Sequence, residues 1–209
     1  MLLLQMLFAY LVGSCVASIL ISKIMATSDP RQLGSKNAGA TNMMRIHGKW
    51  LGCITLIADC SKTIFCLFTS QLLGYKGPEM MWIGFAVLVG HCFPLYFKFQ
   101  GGKGISVGIV VITMLFPYVG LFCCGIWLIM MLWQQIVSLA SVTATLVCIP
   151  CVLWLHPSLN YLASTLALCG LIISQHRSNI RRLLAGQEKP IIKKPNLLKK
   201  LPKLRNPFH

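Results

Sequence analysis

Seven apolar runs take up most of the first 174 residues of this 209-residue chain: 2–25, 50–73, 79–97, 105–114, 119–133, 136–155 and 159–174. About 20 apolar residues cross a hydrocarbon core as a helix, where every backbone polar group must be satisfied internally. The pattern therefore predicts an all-α, polytopic membrane protein of about seven transmembrane helices. The fourth and fifth runs are short, so 105–133 is expected to be two short spans, one long helix bent around Phe116 and Pro117, or a re-entrant pair. Run 2–25 has no positive segment before it and no small-residue cleavage site after it, so it reads as a first transmembrane helix rather than a cleavable signal.

Charge sets the expected orientation. With seven spans and the N-terminus outside, seventeen of the nineteen Lys and Arg residues fall on the inner side, leaving only Lys76 outside and Lys62 within a span. The positive-inside rule favours this arrangement strongly over its inverse. It makes every polar segment of any length cytoplasmic. Only 11% of residues are charged, against about 25% in soluble domains, and the net charge is +15. That excludes an ordinary cytosolic enzyme and a disordered chain, and basic faces attract anionic headgroups or phosphorylated substrates. The ten cysteines lie scattered in apolar stretches, where Cys acts as a small hydrophobe. The Cys148/Cys151 pair brackets Pro150 inside a span and reads as packing rather than redox chemistry. No Cys/His metal-ligand spacing appears.

Three polar segments carry chemistry. The first runs from Leu33 through Gly34, Ser35, Lys36, Asn37, Ala38, Gly39, Ala40, Thr41 and Asn42 to Arg45. Its small residues let backbone N–H groups converge on an anion, its hydroxyl and amide side chains add donors, and arginine grips a phosphate in bidentate fashion. The second holds Gly90, His91, Phe93 and Pro94, then Gly101, Gly102, Lys103 and Gly104 just before an apolar helix, an arrangement suited to phosphate near a helix N-terminus. It is not a Walker A loop. His91 and Pro94 read as helix-end structure. In the third, His176, Asn179 and Arg182 share one helical face, with Gly186 as the helix stop and Glu188 beyond it. Asp59 and Lys62 sit one helical turn apart within a span and read as an ion pair near the cytoplasmic cavity. Ser138 and Ser141 share a face near the inner end of the sixth run. The tail 190–209, with Lys193, Lys194, Lys199, Lys200, Lys203 and Arg205, reads as a solvated basic arm near lipid headgroups. It lacks the interleaved aromatics of a nucleic-acid binder, so no nucleic acid is expected.

Together and in this order, the three segments resemble the motifs of the bacterial acyl-phosphate:glycerol-3-phosphate acyltransferases, integral membrane proteins. Gly34, Ser35, Asn37, Gly39–Asn42 and Arg45 match the first motif, Gly90–Pro94 with Gly101–Gly104 the second, and His176, Asn179, Ile180, Arg182, Leu183, Gly186 and Glu188 the third. Lys36 departs from the family glycine, and Thr63 replaces a glycine after Lys62. The resemblance implies one membrane-embedded acyltransferase domain, 1–189, in the bacterial inner membrane with its site facing the cytoplasm. Its reaction would transfer a fatty acyl group from acyl phosphate to the sn-1 hydroxyl of glycerol 3-phosphate, giving lysophosphatidic acid and phosphate, the first step of phospholipid synthesis. It implies no metal and no organic cofactor. Membrane lipids and a soluble enzyme that makes acyl phosphate are the expected partners.

On this reading Ser35, Lys103, His176 and Asn179 are catalytic. Asn37, Gly39, Thr41, Asn42, Arg45, Gly101, Gly102, Gly104, Ser138, Ser141 and Arg182 bind substrate, while Asp59, Lys62, His91 and Glu188 support the site. Lys103 and the amides of 101–104 are expected to hold the acyl-phosphate head. No His is followed by Asp at the fifth position, so the His–Asp pair of other glycerol-3-phosphate acyltransferases is missing. The proton of the attacking hydroxyl is then expected to pass to the substrate's own phosphate rather than to His176. A small anion transporter is the rival reading. Against it stand outer turns of five residues or fewer and the absence of an internal repeat.

Overall fold

The computed structural model describes residues 1–191, and the predicted basic tail beyond them lies outside the described residues. The order of elements is α1 Leu2–Gly13, α2 Ala17–Ile24, α3 Ala40–His47, α4 Lys49–Leu72, α5 Pro78–Cys92, a 3₁₀ turn Leu95–Phe97, α6 Ile105–Leu115, α7 Pro117–Gln134, α8 Val137–Leu155, α9 Leu159–Gln175 and α10 Arg177–Leu184. Described residues contain no strand. Four helical stretches are long and apolar enough to cross a membrane: α4, Pro78–Phe97, α7 and α8. The pair α1 and α2 makes a fifth if counted together, and α6 and α9 are apolar but shorter.

Run 2–25 is therefore not the single helix expected from its hydropathy. It breaks after Gly13 and resumes at Ala17 with a bend of 41°. A break in apolar surroundings strands carbonyls at the end of α1 and N–H groups at the start of α2. The partners come from α4. Lys62 Nζ donates to the Gly13 and Cys15 carbonyls at 3.0 and 2.9 Å, and Asp59 Oδ1 accepts from the Ala17 N–H at 3.4 Å. The Asp59–Lys62 pair, 2.9 Å apart, thus stitches both stumps of the interrupted span.

Segment 105–133 is two helices rather than one bent helix. Phe116, at φ −136° and ψ 74°, leaves the helical conformation, Pro117 opens α7 at a position where its missing N–H costs nothing, and Gly120 lies against Thr113 so closely that a Cβ there would fall 2.5 Å from the Thr113 Cα. The chain reverses within a few residues.

Helix α5 is the centre of the bundle and packs against α1, α4, α6 and α9. Its approach to α1 is backbone to backbone. A Cβ on Gly13 would meet the Val87 carbonyl oxygen at 2.3 Å, and one on Gly90 the Tyr10 carbonyl oxygen at 2.2 Å. Small residues at such crossings let apolar helices gain contact where lipid supplies no hydrophobic drive. Met81, Val87 and Leu88 are fully buried there, whereas Leu121, Phe122, Ile129 and Leu132 on α7 are exposed, as a lipid-facing surface requires. At one end of the bundle Phe116, His156 and Tyr161 stack within 5.4 Å of one another. The three polar segments gather at the opposite end, at the α2–α3 loop, the α5–α6 loop and the α9–α10 junction.

Candidate active site

Lys103 stands one residue before the left-handed Gly104 that starts α6. Its ammonium donates to the Asn179 Oδ1. The Asn179 amide in turn donates to Glu188 Oε1 at 2.5 Å, which also accepts from Ser138 Oγ at 2.7 Å, and Arg182 Nε donates to Glu188 Oε2 at 2.6 Å. Helix α10 ends at Leu184, and Gly186, with φ of +65°, turns the chain back so that Glu188 reaches its own helix and α8. The Ile191 N–H, donating to the Gln135 carbonyl at 2.9 Å, straps this return onto the α7–α8 turn. Lys103, Asn179, Arg182, Ser138 and Glu188 thus form one connected group.

His176 is the joint between α9 and α10 and is 3% exposed. Its Nδ1 lies 2.8 Å from the Ile172 carbonyl. A carbonyl only accepts, so the ring hydrogen sits on Nδ1 and the lone pair on Nε2. Burial pushes this imidazole below its ordinary 6.5, with the Lys103 charge acting in the same direction, so it is neutral at pH 7. Burial likewise pulls Lys103 down from 10.5 to about 8. The Glu188 carboxylate opposes that shift, and the Arg182 and Arg45 charges add to it. Burial alone would raise Glu188, but hydrogen bonds from Arg182, Ser138 and Asn179 outweigh it and hold the carboxyl below its usual range. The group is one ionised acid beneath a desolvated cation, with Arg45 close enough to add positive potential.

The first loop is organised by a residue expected to touch substrate. Asn42 is 1% exposed. Its Oδ1 accepts from the Ser35 N–H at 2.8 Å, and its Nδ2 lies 2.7 to 3.1 Å from the carbonyls of Pro30, Leu33 and Asn37. Its amide is engaged inside the loop, so Asn42 holds the shape of the loop backbone. Ser35 and Arg45 are exposed, with Asn37, Gly39 and Thr41 half-buried beside them, and Asn37 Nδ2 lies over Gly39. Sequence reasoning passed over Arg31, which pairs with Asp29 at 2.6 Å and donates from Nη1 to the Phe97 carbonyl at 3.0 Å. This clamp ties the first loop to the second, and the Asp-x-Arg spacing was its only trace in the sequence.

The glycine segment also departs from expectation. The Gly101 and Gly102 N–H groups donate to the Cys92 and His91 carbonyls at 3.2 and 3.1 Å, so they do not offer the anion cradle read from their spacing. Both glycines are there for close approach. A Cβ on Gly101 would lie 2.0 Å from the His91 carbonyl oxygen, and one on Gly102 2.2 Å from His91 Nε2. The donors left for a phosphate are the Lys103 ammonium and the first-turn N–H groups of α6.

Beside Lys103 opens an apolar cavity of about 230 Å³ between α6, α7, α8 and α9. Ile105 and Ser106 line it next to the lysine, and Ile112, Cys123 and Cys148 line it further along the helices. Ser141 Oγ, expected to bind substrate, accepts from Trp127 Nε1 at 3.1 Å and keeps its own O–H to donate, and both residues line this cavity. Asp59, Lys62 and His91 lie behind the glycine segment rather than in the opening.

The sequence profile of the family described as glycerol-3-phosphate acyltransferase matches residues 3–186. The glycerol-3-phosphate acyltransferase of Pseudomonas aeruginosa (strain LESB58) is 39% identical over 183 residues, 88% of this chain and 96% of that protein. That of Pseudomonas syringae pv. tomato (strain ATCC BAA-871 / DC3000) is 40% identical over 182 residues, 87% and 94% of the two chains. Among solved structures, the glycerol 3-phosphate form of PlsY (YgiH), an integral membrane glycerol 3-phosphate acyltransferase, superposes with a TM-score of 0.85 at 35% identity, covering 95% of this chain and 98% of its own. The lysophosphatidic acid form gives 0.81, also at 35%, with 90% and 94% covered.

Proposed function

The chain belongs to the glycerol-3-phosphate acyltransferase family, and from that premise we propose that it transfers a fatty acyl group from acyl phosphate to the sn-1 hydroxyl of glycerol 3-phosphate, releasing lysophosphatidic acid and phosphate. The observation that carries this reading is the adjacency of the Lys103 segment to an apolar cavity whose lining begins at Ile105 and Ser106, the next turn of the chain. A donor with an oily tail and an anionic head needs such a junction, and its tail would occupy the space bounded by Ile105 and Cys148. PlsY, solved in a glycerol 3-phosphate form and a lysophosphatidic acid form, holds the acceptor and the product of this reaction.

In the proposed reaction the glycerol hydroxyl oxygen attacks the acyl carbonyl carbon, the carbon–oxygen bond to phosphate breaks, and the phosphate leaves with the electron pair. Lys103, fixed by Asn179, neutralises charge as it builds on the leaving oxygens. Arg45 and the exposed face of the Ser35 loop hold a second phosphate, and Arg182, whose side chain is 43% exposed, supplies a further positive edge. The hydroxyl proton goes to the phosphate of glycerol 3-phosphate itself. His176 Nε2, which can only accept, takes a hydrogen bond from the second glycerol hydroxyl and so orients the substrate without having to become charged in a buried site. The proposal further places seven spans in the bacterial inner membrane with the N-terminus outside, the polar segments in the cytoplasm, and a soluble enzyme there supplying acyl phosphate.

Purified protein in detergent, given palmitoyl phosphate and glycerol 3-phosphate, tests the reaction. Phosphate release that needs both substrates and yields lysophosphatidic acid is the expected result. Release from acyl phosphate alone, or none at all, refutes the reading.

A further inference from the structure

Asp59, Lys62 and His91 form a buried charged cluster that takes no part in the chemistry above. The side chains of Lys62, Asp59 and His91 are 9%, 2% and 2% exposed, so the cluster is shut away from substrate. Lys62 Nζ makes four short polar contacts: the Gly13 and Cys15 carbonyls, Asp59 Oδ1, and His91 Nδ1 at 3.1 Å. An ammonium has three hydrogens for these four sites, so they are shared among them. Asp59 holds the α2 stump through Ala17 and lies 3.5 Å from the same Nδ1. The break is tied to the end of α5 a second time, by Tyr10 Oη donating to the Phe93 carbonyl at 3.0 Å and by the Leu95 N–H donating to Ser14 Oγ at 3.3 Å.

The far edge of the imidazole faces the glycine segment. Gly102 lies against Nε2, and the Gly101 and Gly102 N–H groups hang on the Cys92 and His91 carbonyls. The next residue is Lys103. A single chain of contacts therefore runs from the broken span through Lys62 and His91 to the backbone that carries the site's cation. Two non-glycine residues just ahead, Lys98 and Phe99, sit at φ of 55° and 57°, a region that L-residues adopt at a cost. This backbone needs something to hold it in place.

We propose that Asp59, Lys62 and His91 are positioning residues, a buried ionic staple that fixes the Gly101–Gly102 backbone and so sets where the Lys103 ammonium stands. The break in the first span is part of the device, because its bared carbonyls hold Lys62 in register. A charge cluster at membrane depth is expensive unless fully partnered, and here the partners outside the cluster are the Gly13 and Cys15 carbonyls and the Ala17 N–H, backbone groups of the broken span. The inference rests on the proposed role of Lys103.

The test is a double-mutant comparison on the full chain in detergent, with melting temperature followed alongside acyl-phosphate turnover. His91→Asn keeps an acceptor near the Nδ1 position and removes the ring that backs Gly102. Misplacement of a catalytic group by about 1 Å costs on the order of 10²-fold, so kcat is expected to fall by about 10- to 100-fold with KM for glycerol 3-phosphate changed less than about two-fold. Combined with Lys103→Ala, the same substitution is expected to cost less than about two-fold further, since it acts through Lys103. Equal losses in both backgrounds, or unchanged kcat in His91→Asn, overturn the proposal. Should that variant not fold, Gly102→Ala displaces the same backbone from the opposite side and is expected to give the same non-additivity. If wild-type protein turns over while Lys103→Ala costs nothing, the role of Lys103 fails rather than the staple.

Discussion

The most discriminating consequence of the site is its alkaline limb. Burial pulls Lys103 from 10.5 down to about 8. If the ammonium is the required form, kcat/KM, which reports the free enzyme, should fall about tenfold per pH unit above that value. At pH 9 about one tenth of the protein would carry a charged Lys103, whereas an unperturbed lysine would still be almost fully charged. Alkaline unfolding would also abolish activity, but the sign of the linkage separates the two. With its folded pKa depressed, Lys103 binds fewer protons folded than unfolded between pH 8 and 10.5, so its contribution to stability rises across that window, by at most about 3 kcal/mol. Activity should therefore decline while this residue makes the fold more robust. The assay is initial-rate phosphate release from pH 6.5 to 9.5 at subsaturating acyl phosphate, with melting temperature measured in the same buffers and Lys103→Met as the stability control. Lys103→Arg should have lower kcat but a flat alkaline limb, because guanidinium stays charged. A wild-type profile flat to pH 9.5, or a limb that persists in Lys103→Arg, refutes the argument.

Three further outcomes follow from the geometry. Asn42→Ala removes the acceptor for the Ser35 N–H and the two amide hydrogens shared among three carbonyls, about 3 kcal/mol of loop stability at about 1 kcal/mol per hydrogen bond; residues 33–39 should exchange amide hydrogens faster and KM for glycerol 3-phosphate should rise. Glu188→Gln removes the charge and turns one of two oxygens, Oε1 serving Ser138 and Asn179 and Oε2 serving Arg182, into a donor; one charged hydrogen bond of about 1.5–3 kcal/mol corresponds to roughly a 10- to 150-fold fall in kcat/KM, measured by the same release assay. Lys36 sits at φ of 55° on an exposed turn, so Lys36→Gly should relieve about 1 kcal/mol of strain net of backbone entropy and raise the melting temperature by about 2–4 °C.

Hydropathy located the apolar helices to within a few residues but not the break in the first. Residues 2–25 are apolar but for Gln5, Ser14, Ser18, Ser22 and Lys23, and the Gly13–Ser14 pair is the local trace of the break; what holds it open is a remote ion pair on α4 together with the close crossing of Gly13 over α5. Proline made the reversal at Phe116 and Pro117 legible as an alternative, since Pro opens helices far more readily than it continues them. In the polar segments residue type was readable and direction was not. Asn42, Gly101 and Gly102 have the chemistry of an anion cradle, yet closure of their own loops turns that chemistry inward. An amide buried by a turn serves the turn before it serves a ligand.

That inward turn bears on how three short segments so far apart in sequence make one site. Of the polar groups in the first two segments, the buried ones hold backbone: Asn42 four groups of its own loop and His91 the plane beneath Gly102, while the half-buried Arg31 just ahead holds the Phe97 carbonyl. Exposed Ser35 and Arg45 and the partly buried Lys103 are what remain for substrate. Three of the four carboxylates, Asp29, Asp59 and Glu188, are paired in ion contacts with Arg31, Lys62 and Arg182, which leaves Glu79 alone for a dedicated acid–base pair. The scarcity of acids and the excess of cations thus point the same way. The protein supplies position and positive potential, and an acyl phosphate, already carrying a good leaving group, supplies the reactivity.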